Sequence, residues 1–366
     1  MNILFVVDSL HGGGAGRVVS RLATQMSEYG NSVSIATTSN KKILYPLSRD
    51  INTYVISGDH VEEKKPGFIK MLRKIRRIKN IVRERNIEVV YSFLPEINIY
   101  SIFAGIGQKH ITIVSERNDP YVDPSNKIVR ILRSLSYPFS DGFVFQTNDA
   151  KGYFSKSIQK RSTIIFNPVP SNLPDVYDGE RKKRFVAVGR LDNQKNYPMM
   201  LDAFYRVHQA YPEFILDIYG EGKEKANVEN LIQELNLQNV VTLKGQSATV
   251  LDEIKDAYAF VMSSNFEGMS NALIEAMAIG LPTISTDHPI GGARALIEDG
   301  KNGLLVPVNC ADKLAESMIS LIENPDVAES LGAEASLLKN NLKIENIAEQ
   351  WLNYAKTILD KKQLKK

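Results

Sequence analysis

Short runs of β-branched and aromatic residues alternate with longer segments of helical period along almost the whole chain. "NILFVV", "SVSIAT", "EVVYS" and "ITIVS" come first, and "RFVAVG", "FILDIYG", "VVTL", "AFVMS" and "PTISTD" follow after a break. Strand, helix, strand order implies parallel sheets covered by helices on both faces, and the chain runs through the scheme twice. The break is "FNPVPSNLPDVYDGERKK", residues 166–183, where three prolines and several turn formers mark a hinge. Near the end, "IENIAEQWLNYAKTILDKK" places Ile347, Trp351, Tyr354 and Ile358 on one helical stripe. The expected domains are 1–170 and 171–340, followed by a helical segment over 341–366.

A length of 366 residues fits about two domains, and 43% hydrophobic with 24% charged residues is ordinary for a folded, soluble chain. The opening "MNILFVVDSL" has no basic leader and an apolar run of only about six residues, so it is expected to be a first strand rather than a signal peptide. No stretch approaches the roughly 18 apolar residues of a membrane span, which leaves peripheral contact as the expected membrane relation. A single cysteine, Cys310, excludes an intramolecular disulfide and fits a reducing, cytoplasmic setting. Net charge is only +3, yet residues 1–170 carry 24 basic and 14 acidic residues, a balance of +10, and the remainder is at −7. A polyanionic partner is therefore expected on the first half.

Three loops carry candidate chemistry. "HGGGAGR", residues 11–17, joins the first strand to a helix; glycines there let the backbone approach an anion, or simply let the helix pack on the sheet. A dinucleotide fingerprint fails, because Arg17 stands where a third glycine belongs and no acidic residue ends the second strand. "FVAVGRLDNQKN" ends a strand at Gly189 and Arg190 and places Lys195 before a helix. An Arg fork and a Lys point charge at a strand's carboxyl end suit a diphosphate, the alternative being a solvated pair. "NFEGMSNALIEAM" connects a strand to a helix N-capped by Ser270. Its amides at Met269, Ser270 and Asn271, with Glu267 in the loop and Glu275 inside an apolar helix, suit the hydroxyls and phosphates of a sugar nucleotide.

The most basic segment is "KKPGFIKMLRKIRRIKNIVRER", residues 64–85, with ten Lys/Arg and one Glu. Phe68, Met71, Leu72, Ile75, Ile78 and Val82 form an apolar stripe after Pro66, expected to pack on the first sheet. The cations Lys70, Arg73, Lys74, Arg76 and Arg77 exceed what solubility needs and are expected to meet an anionic membrane or a lipid-diphosphate acceptor, with Lys127, Arg130 and Arg133 extending the patch. Nucleic acid is disfavoured, because no aromatics interleave the basic run.

Taken together, "GGGAGR", "NP" at Asn167 and Pro168, "VGRLDNQKN", "YGEG" at 219–222, "FEGMSNALIEAMAIGLPTIST" and "DGKNGLLVP" at 299–307 resemble the retaining glycosyltransferases of the group 1 class, family 4. The resemblance implies a GT-B fold, two Rossmann-like doubly wound parallel-sheet domains facing a central cleft, with a C-terminal helix crossing back to the first domain. It also implies transfer of a sugar from a nucleoside-diphosphate donor, expected to be UDP-linked, to a lipid-linked or surface-polysaccharide acceptor. Under that resemblance Arg190 and Lys195 hold the donor diphosphate with Gly189 beside them. Glu267 meets the sugar at its reacting face, and Glu275 binds the ribose. Amides from Gly268 through Met269, Ser270 and Asn271 serve hydroxyls and phosphate. Gly13 and Gly14 admit substrates to the first domain, Gly220 and Gly222 shape the nucleotide pocket, and the base lies near Gly245. Family members often carry a histidine after the fourth strand, where this chain has "VSERND", so Arg117, Glu116 or Asn118 is expected to take its place. Aspartates two positions apart never occur, so neither a metal nor a cofactor beyond the donor is expected. The expected location is the inner face of the cytoplasmic membrane. The rivals are a UDP-N-acetylhexosamine epimerase of the same architecture and a non-catalytic sugar- or nucleotide-binding subunit.

Overall fold

The computed structural model describes residues 1–57 and 67–364, and divides the chain into two compact units. Unit 1 comprises Met1–Pro168 with Ile344–Lys366, and unit 2 comprises Val169–Lys343. The strands of unit 1 are β1 (Asn2–Val7), β2 (Ser32–Thr37), β3 (Asn52–Val55), β4 (Val89–Phe93), β5 (Ile111–Ser115), β6 (Gly142–Phe145) and β7 (Ser162–Ile164). Between them run α1 (Gly14–Glu28), α2 (Gly67–Glu84), α3 (Pro95–Gly105), α4 (Lys127–Ser136), α5 (Asn148–Gly152) and α6 (Lys156–Lys160). Unit 2 holds β8 (Lys182–Val188), β9 (Ile215–Tyr219), β10 (Val241–Gly245), β11 (Ala257–Met262), β12 (Thr283–Thr286) and β13 (Leu304–Val306). Its helices are α7 (Tyr197–Ala210), α8 (Lys225–Glu234), α9 (Val250–Ile254), α10 (Asn271–Ala278), α11 (Ala311–Glu323), α12 (Pro325–Ser336) and α13 (Leu338–Asn341), and α14 (Ile344–Gln363) ends the described chain in unit 1.

Each sheet is parallel throughout and grows outward from a central pair. The first has order β3-β2-β1-β4-β5-β6-β7 and the second β10-β9-β8-β11-β12-β13. Chain order reverses between β1 and β4 and again between β8 and β11, so helices cover both faces and the loops at the strands' carboxyl ends diverge there. That divergence leaves a crevice suited to a ligand.

Hydrophobic burial explains which residues became which elements. Ile3 to Val7 of β1 are all buried, as a central strand covered on both faces requires. In unit 2, Phe185 and Ala187 of β8 and Ala259 and Val261 of β11 share a core with Leu201, Phe204 and Val207 of α7, each set at its own period. In unit 1, Leu4, Val6 and Val90 receive Ile78, Ile81 and Val82 from α2 and Ile97 and Ala104 from α3. The α2 stripe is therefore used only in its second half. Phe68 and Leu72, expected to pack on the sheet, are exposed, and Pro66 lies outside the described residues.

Four short strands, β3, β6, β7 and β13, carry too few residues to show a period in the sequence. They sit toward the sheet edges, where neighbours rather than propensity hold them. Helix α14 packs on α1 and β5. Its Trp351 is fully buried, stacked on Phe93 at 5.4 Å and edge-on to Tyr91 at 5.2 Å, and the Tyr91 hydroxyl donates to the Trp351 carbonyl at 2.9 Å. Among the described residues no helix is long and apolar enough to cross a membrane.

Trp351→Ala is expected to lower the unfolding free energy by about 3–5 kcal/mol, read as a shifted urea midpoint, because the void opens at the joint between α14 and the first sheet. A shift under about 1 kcal/mol would mean that α14 is not integral to unit 1.

Candidate functional site

In unit 2 the loop after β8, residues 189–196, and the loop after β11, residues 263–270, flank the β8/β11 reversal. Both are strand-to-helix connections, and they are laced together. Ser263 Oγ donates to the carbonyls of Lys195 at 2.8 Å and Asn196 at 3.0 Å. The Asn265 amide donates to the Gln194 carbonyl at 2.8 Å, and the Asn196 side chain donates to Asn265 Oδ1 at 2.8 Å. Lys195 Nζ then reaches Glu267 Oε1 at 2.7 Å, and Ser264 Oγ donates to the same oxygen at 3.2 Å. Both side chains of this ion pair are largely shielded from water, so the charges strengthen each other more than a surface pair does.

Helix ends set the remaining positions. Ser270 caps α10 with its side chain accepting from the Leu273 amide, and Asn196, left-handed at φ 49°, caps α7 by accepting from Met199. Met269, Ser270 and Glu275 are buried, with Asn271 partly so. Arg190 is different. Its side chain is mostly exposed, held among the described residues by Asp192 at 3.3 Å and Gln194 at 3.3 Å, so the two cations are not presented as a matched pair.

Glycines bring a third loop into backbone contact. A Cβ on Gly220 would lie 1.9 Å from the Gly189 carbonyl oxygen, and one on Gly222 would lie 2.2 Å from that of Leu191. The 219–222 segment is thus pressed against the 189–191 segment, where the amides of Gly189 and Leu191 donate to Tyr219 and Glu221. Gly245, at φ 71°, closes the same side through its carbonyl to the Gly220 amide at 2.7 Å.

The sequence reading missed one further segment, "DHPIGGAR" after β12. A Cβ on Gly292 would fall 1.7 Å from the Gly268 carbonyl oxygen and 3.0 Å from His288 Cε1, so this turn supports the Glu267 loop from behind. His288 is fully buried, its Nε2 has no hydrogen-bond partner among the described residues, and burial pushes its pKa down against the opposing pull of Glu267. Ile290 adopts φ 61°, a strained conformation for a β-branched residue. A Gly-Gly pair beside a histidine just past a buried strand was the available signal.

Unit 1 brings together a separate group. Gly13, at φ 84°, precedes α1 with open space around it, and Gly14 begins the helix. A Cβ on Gly16 would lie 2.3 Å from the Ser9 carbonyl oxygen, so the motif serves packing at one position and leaves open backbone at another. At the end of β5, Arg117 donates to Asn167 and to Ser115 Oγ at 3.4 Å and lies over the Phe93 ring at 5.3 Å. No carboxylate pairs with it among the described residues, and burial lowers its pKa to about 9, leaving it cationic at neutral pH. Glu116 turns inward instead, accepting from the Tyr137 hydroxyl with Arg133 at 4.0 Å. Asn118 hydrogen-bonds Asp123.

The α2 cations divide. Arg77 donates to the carbonyls of Ile56 and Ser57 and Lys74 lies over the Tyr100 ring at 5.1 Å, whereas Arg76 is exposed and Lys70 and Arg73 are partly so. Arg133, expected to extend the basic patch, is buried, and its five donors explain why: it bonds the carbonyls of Pro120 and Asp123 and the Tyr153 hydroxyl.

The family profile described as Glycosyl transferases group 1 matches residues 175–337, and that described as Glycosyltransferase Family 4 matches residues 12–173. The chain belongs to the group 1, family 4 glycosyltransferases. Similar to this glycosyltransferase is a Campylobacter jejuni GalNAc-alpha-(1->4)-GalNAc-alpha-(1->3)-diNAcBac-PP-undecaprenol alpha-1,4-N-acetyl-D-galactosaminyltransferase, 27% identical over 96% of this chain and 97% of that one. A second C. jejuni relative, an N-acetylgalactosamine-N,N'-diacetylbacillosaminyl-diphospho-undecaprenol 4-alpha-N-acetylgalactosaminyltransferase, is 28% identical over 94% and 97%. Solved structures share the GT-B fold: sucrose-phosphate synthase from Thermosynechococcus elongatus superposes with TM-score 0.85 at 18% identity, covering 98% and 100% of the two chains. Anabaena HepE in complex with UDP and glucose gives 0.82 at 16%, covering 96% and 98%.

Two outcomes test this geometry. Because burial raises the Glu116 pKa from 4.5 to about 7, the folded chain holds a proton that the unfolded chain has released across that window. Stability from this group is therefore full below about pH 4.5 and falls as pH rises to about 7. Urea midpoints should show wild type losing stability relative to Glu116→Gln over that window; parallel curves would place Glu116 in a wetter site. Gly292→Ala should displace the Gly268 carbonyl and lower transferase activity at least about tenfold while unfolding shifts by only about 1–3 kcal/mol; unchanged activity would detach the 287–294 turn from the site.

Proposed function

We propose that this glycosyltransferase retains anomeric configuration while moving a hexose or N-acetylhexosamine from UDP to a hydroxyl of a lipid-linked saccharide. The observation that carries it is the Lys195–Glu267 ion pair, with Glu267 in the loop leading into α10, held by two loops at the β8/β11 reversal. A cation and helix amides on one side suit the diphosphate; carboxylates at Glu267 and Glu275 suit sugar and ribose hydroxyls. The exposed Arg190 would close on the phosphates once a donor enters.

In the step itself the bond from the anomeric carbon to the phosphate oxygen breaks and the acceptor oxygen attacks from the same face. The acceptor proton passes to the departing diphosphate oxygen. Lys195, Arg190 and the loop amides stabilise the charge that develops there, which is the usual large contribution to such catalysis, with no metal required in this scheme. Glu267 orients the sugar.

Several features support the acceptor. The two C. jejuni relatives are named for undecaprenol-diphosphate-linked saccharides and α linkages. Arg117 and the α2 cations Lys70, Arg73, Lys74, Arg76 and Arg77 supply positive charge in unit 1 for a lipid diphosphate, and they would hold the enzyme peripherally at the inner face of a cytoplasmic membrane.

Purified protein incubated with UDP-N-acetylhexosamine and an undecaprenyl-diphosphate saccharide should give an extended lipid-linked product. Lys195→Ala should cost about 10²-fold in kcat/KM, and Glu267→Gln should lower kcat more than it changes KM. UDP at about 100 times its dissociation constant should stabilise the wild type by about 2.7 kcal/mol and the Lys195→Ala protein by less. Epimer formation without acceptor would replace this proposal with the epimerase, and full activity in both variants would sink the assigned site.

A further inference from the structure

We propose that helix α4 is an apolar keel that inserts into an anionic lipid bilayer, turning the charge-based docking assigned to α2 into partial penetration; this rests on the lipid-linked acceptor reading above.

Helix α4 is amphipathic the wrong way round for a helix in water. Ile128, Ile131 and Leu135 are 67%, 60% and 62% exposed, and Phe139 just beyond is 65% exposed. Spacings of three and four residues place Ile128, Ile131 and Leu135 on one stripe. Two of its three charged side chains turn inward, while Lys127 at its first position stays exposed: Arg133 is buried, and Arg130 donates to the carbonyls of Tyr121 at 2.8 Å, Val122 at 2.9 Å and Pro124 at 2.6 Å. These bonds tie the preceding loop beneath the helix, Asn126 caps its start, and Arg133 lies over the Tyr153 and Phe154 rings at 5.0 and 5.5 Å. The stripe is rigidly displayed.

Charge selects the occupant. Residues 124–140 contain no acidic residue, and α2 carries seven Lys/Arg before its one glutamate, Glu84. α2 packs on α3 and α3 on α4, so these three helices form one layer, each beginning at the carboxyl edge of the parallel sheet. Phe68 and Leu72, exposed in the first turns of α2, belong to that same edge. An anionic bilayer offers negative headgroups to the cations and hydrocarbon to the stripe at once. A second copy would set the same cationic helices against each other. The edge also holds Arg117 directly after β5, so penetration there would bring the unit to the depth of a lipid diphosphate.

The test is flotation of the full chain with vesicles of phosphatidylethanolamine and phosphatidylglycerol, for wild type, the triple variant Ile128→Ser/Ile131→Ser/Leu135→Ser, and Arg73→Ser/Arg76→Ser. Wild type should float with these vesicles and keep a substantial bound fraction at about 1 M salt, where screening confines charge effects to about 3 Å. The triple variant should lose vesicle binding at least about tenfold at high salt, and the α2 variant should lose it mainly at low salt. Thermal melts with and without UDP are run on every protein. The three stripe side chains and Arg76 are exposed and Arg73 is partly so, so the variants should melt close to wild type. Wild type that does not float, a triple variant that floats undiminished at high salt, or a stripe that instead holds a dimer in sedimentation would each overturn the proposal. If UDP stabilisation persists in those cases, the docking face alone is wrong; if UDP stabilises none of the proteins, the donor-site reading has failed, and flotation still decides the keel.

Discussion

The Lys195–Glu267 ion pair is the constraint on which the unit 2 site depends. It joins two loops that follow the adjacent parallel strands β8 and β11, where the chain order of the sheet reverses. A lysine and a glutamate withdrawn from water need each other, and removal of either leaves a charge the protein must solvate. The backbone bonds from Ser263 and Asn265 hold the loops at the spacing the pair requires, so the side chains need little rearrangement to meet. Pre-set charge of this kind is what a reaction with a departing diphosphate can use, because it is already oriented when the charge appears.

Backbone proximity does the rest of the assembly. Gly220 against Gly189, Gly222 against Leu191 and Gly292 against Gly268 are three crossings where no side chain fits, and together they stack four loops around one spot. Glycine at such crossings has a cost in unfolded-chain entropy, which the tight loop packing must offset. The first unit uses the same device at Gly16 over Ser9, where it seats α1 on its sheet. Unit 2 also uses it for packing, where a Cβ on Gly332 of α12 would lie 2.4 Å from the Gly280 carbonyl oxygen, so the same chemistry serves both purposes within one half.

Much of this was legible in the sequence because the deciding signals are local. The central strands announce themselves as β-branched runs, the Ser270 cap precedes its helix, and Gly189, Lys195 and Glu267 fall in strand-to-helix loops. The short strands β3, β6, β7 and β13, at or next to the sheet edges, did not, since three or four residues cannot display a period. The 287–294 turn was hidden for another reason: its contact with Gly268 spans more than twenty residues of chain and depends on the positive φ of Ile290, which no propensity foretells. Glu116 and Arg133 were opaque as well. A charged residue in a polar stretch looks solvent-facing, and only the fold shows that Tyr137, Tyr153 and two carbonyls wait beneath it.

The inversion of α4 follows from that last point. An arginine has five donors, so a loop with several unpaired carbonyls can draw it inward and satisfy it there. Once Arg130 and Arg133 are committed to the carbonyls of residues 120–124, Ile128, Ile131 and Leu135 dominate the outer face of α4, with Lys127 at its start the one cation still exposed there. Water solvates such a stripe poorly, and in a monomer one would expect a neighbour to cover it. The neighbouring helix layer instead offers cations, which repel a like surface and attract an anionic one. The same side chains that make α4 look basic in sequence are therefore the reason it is apolar in space, and a hydrocarbon environment bounded by negative charge is the one that satisfies both halves of the face.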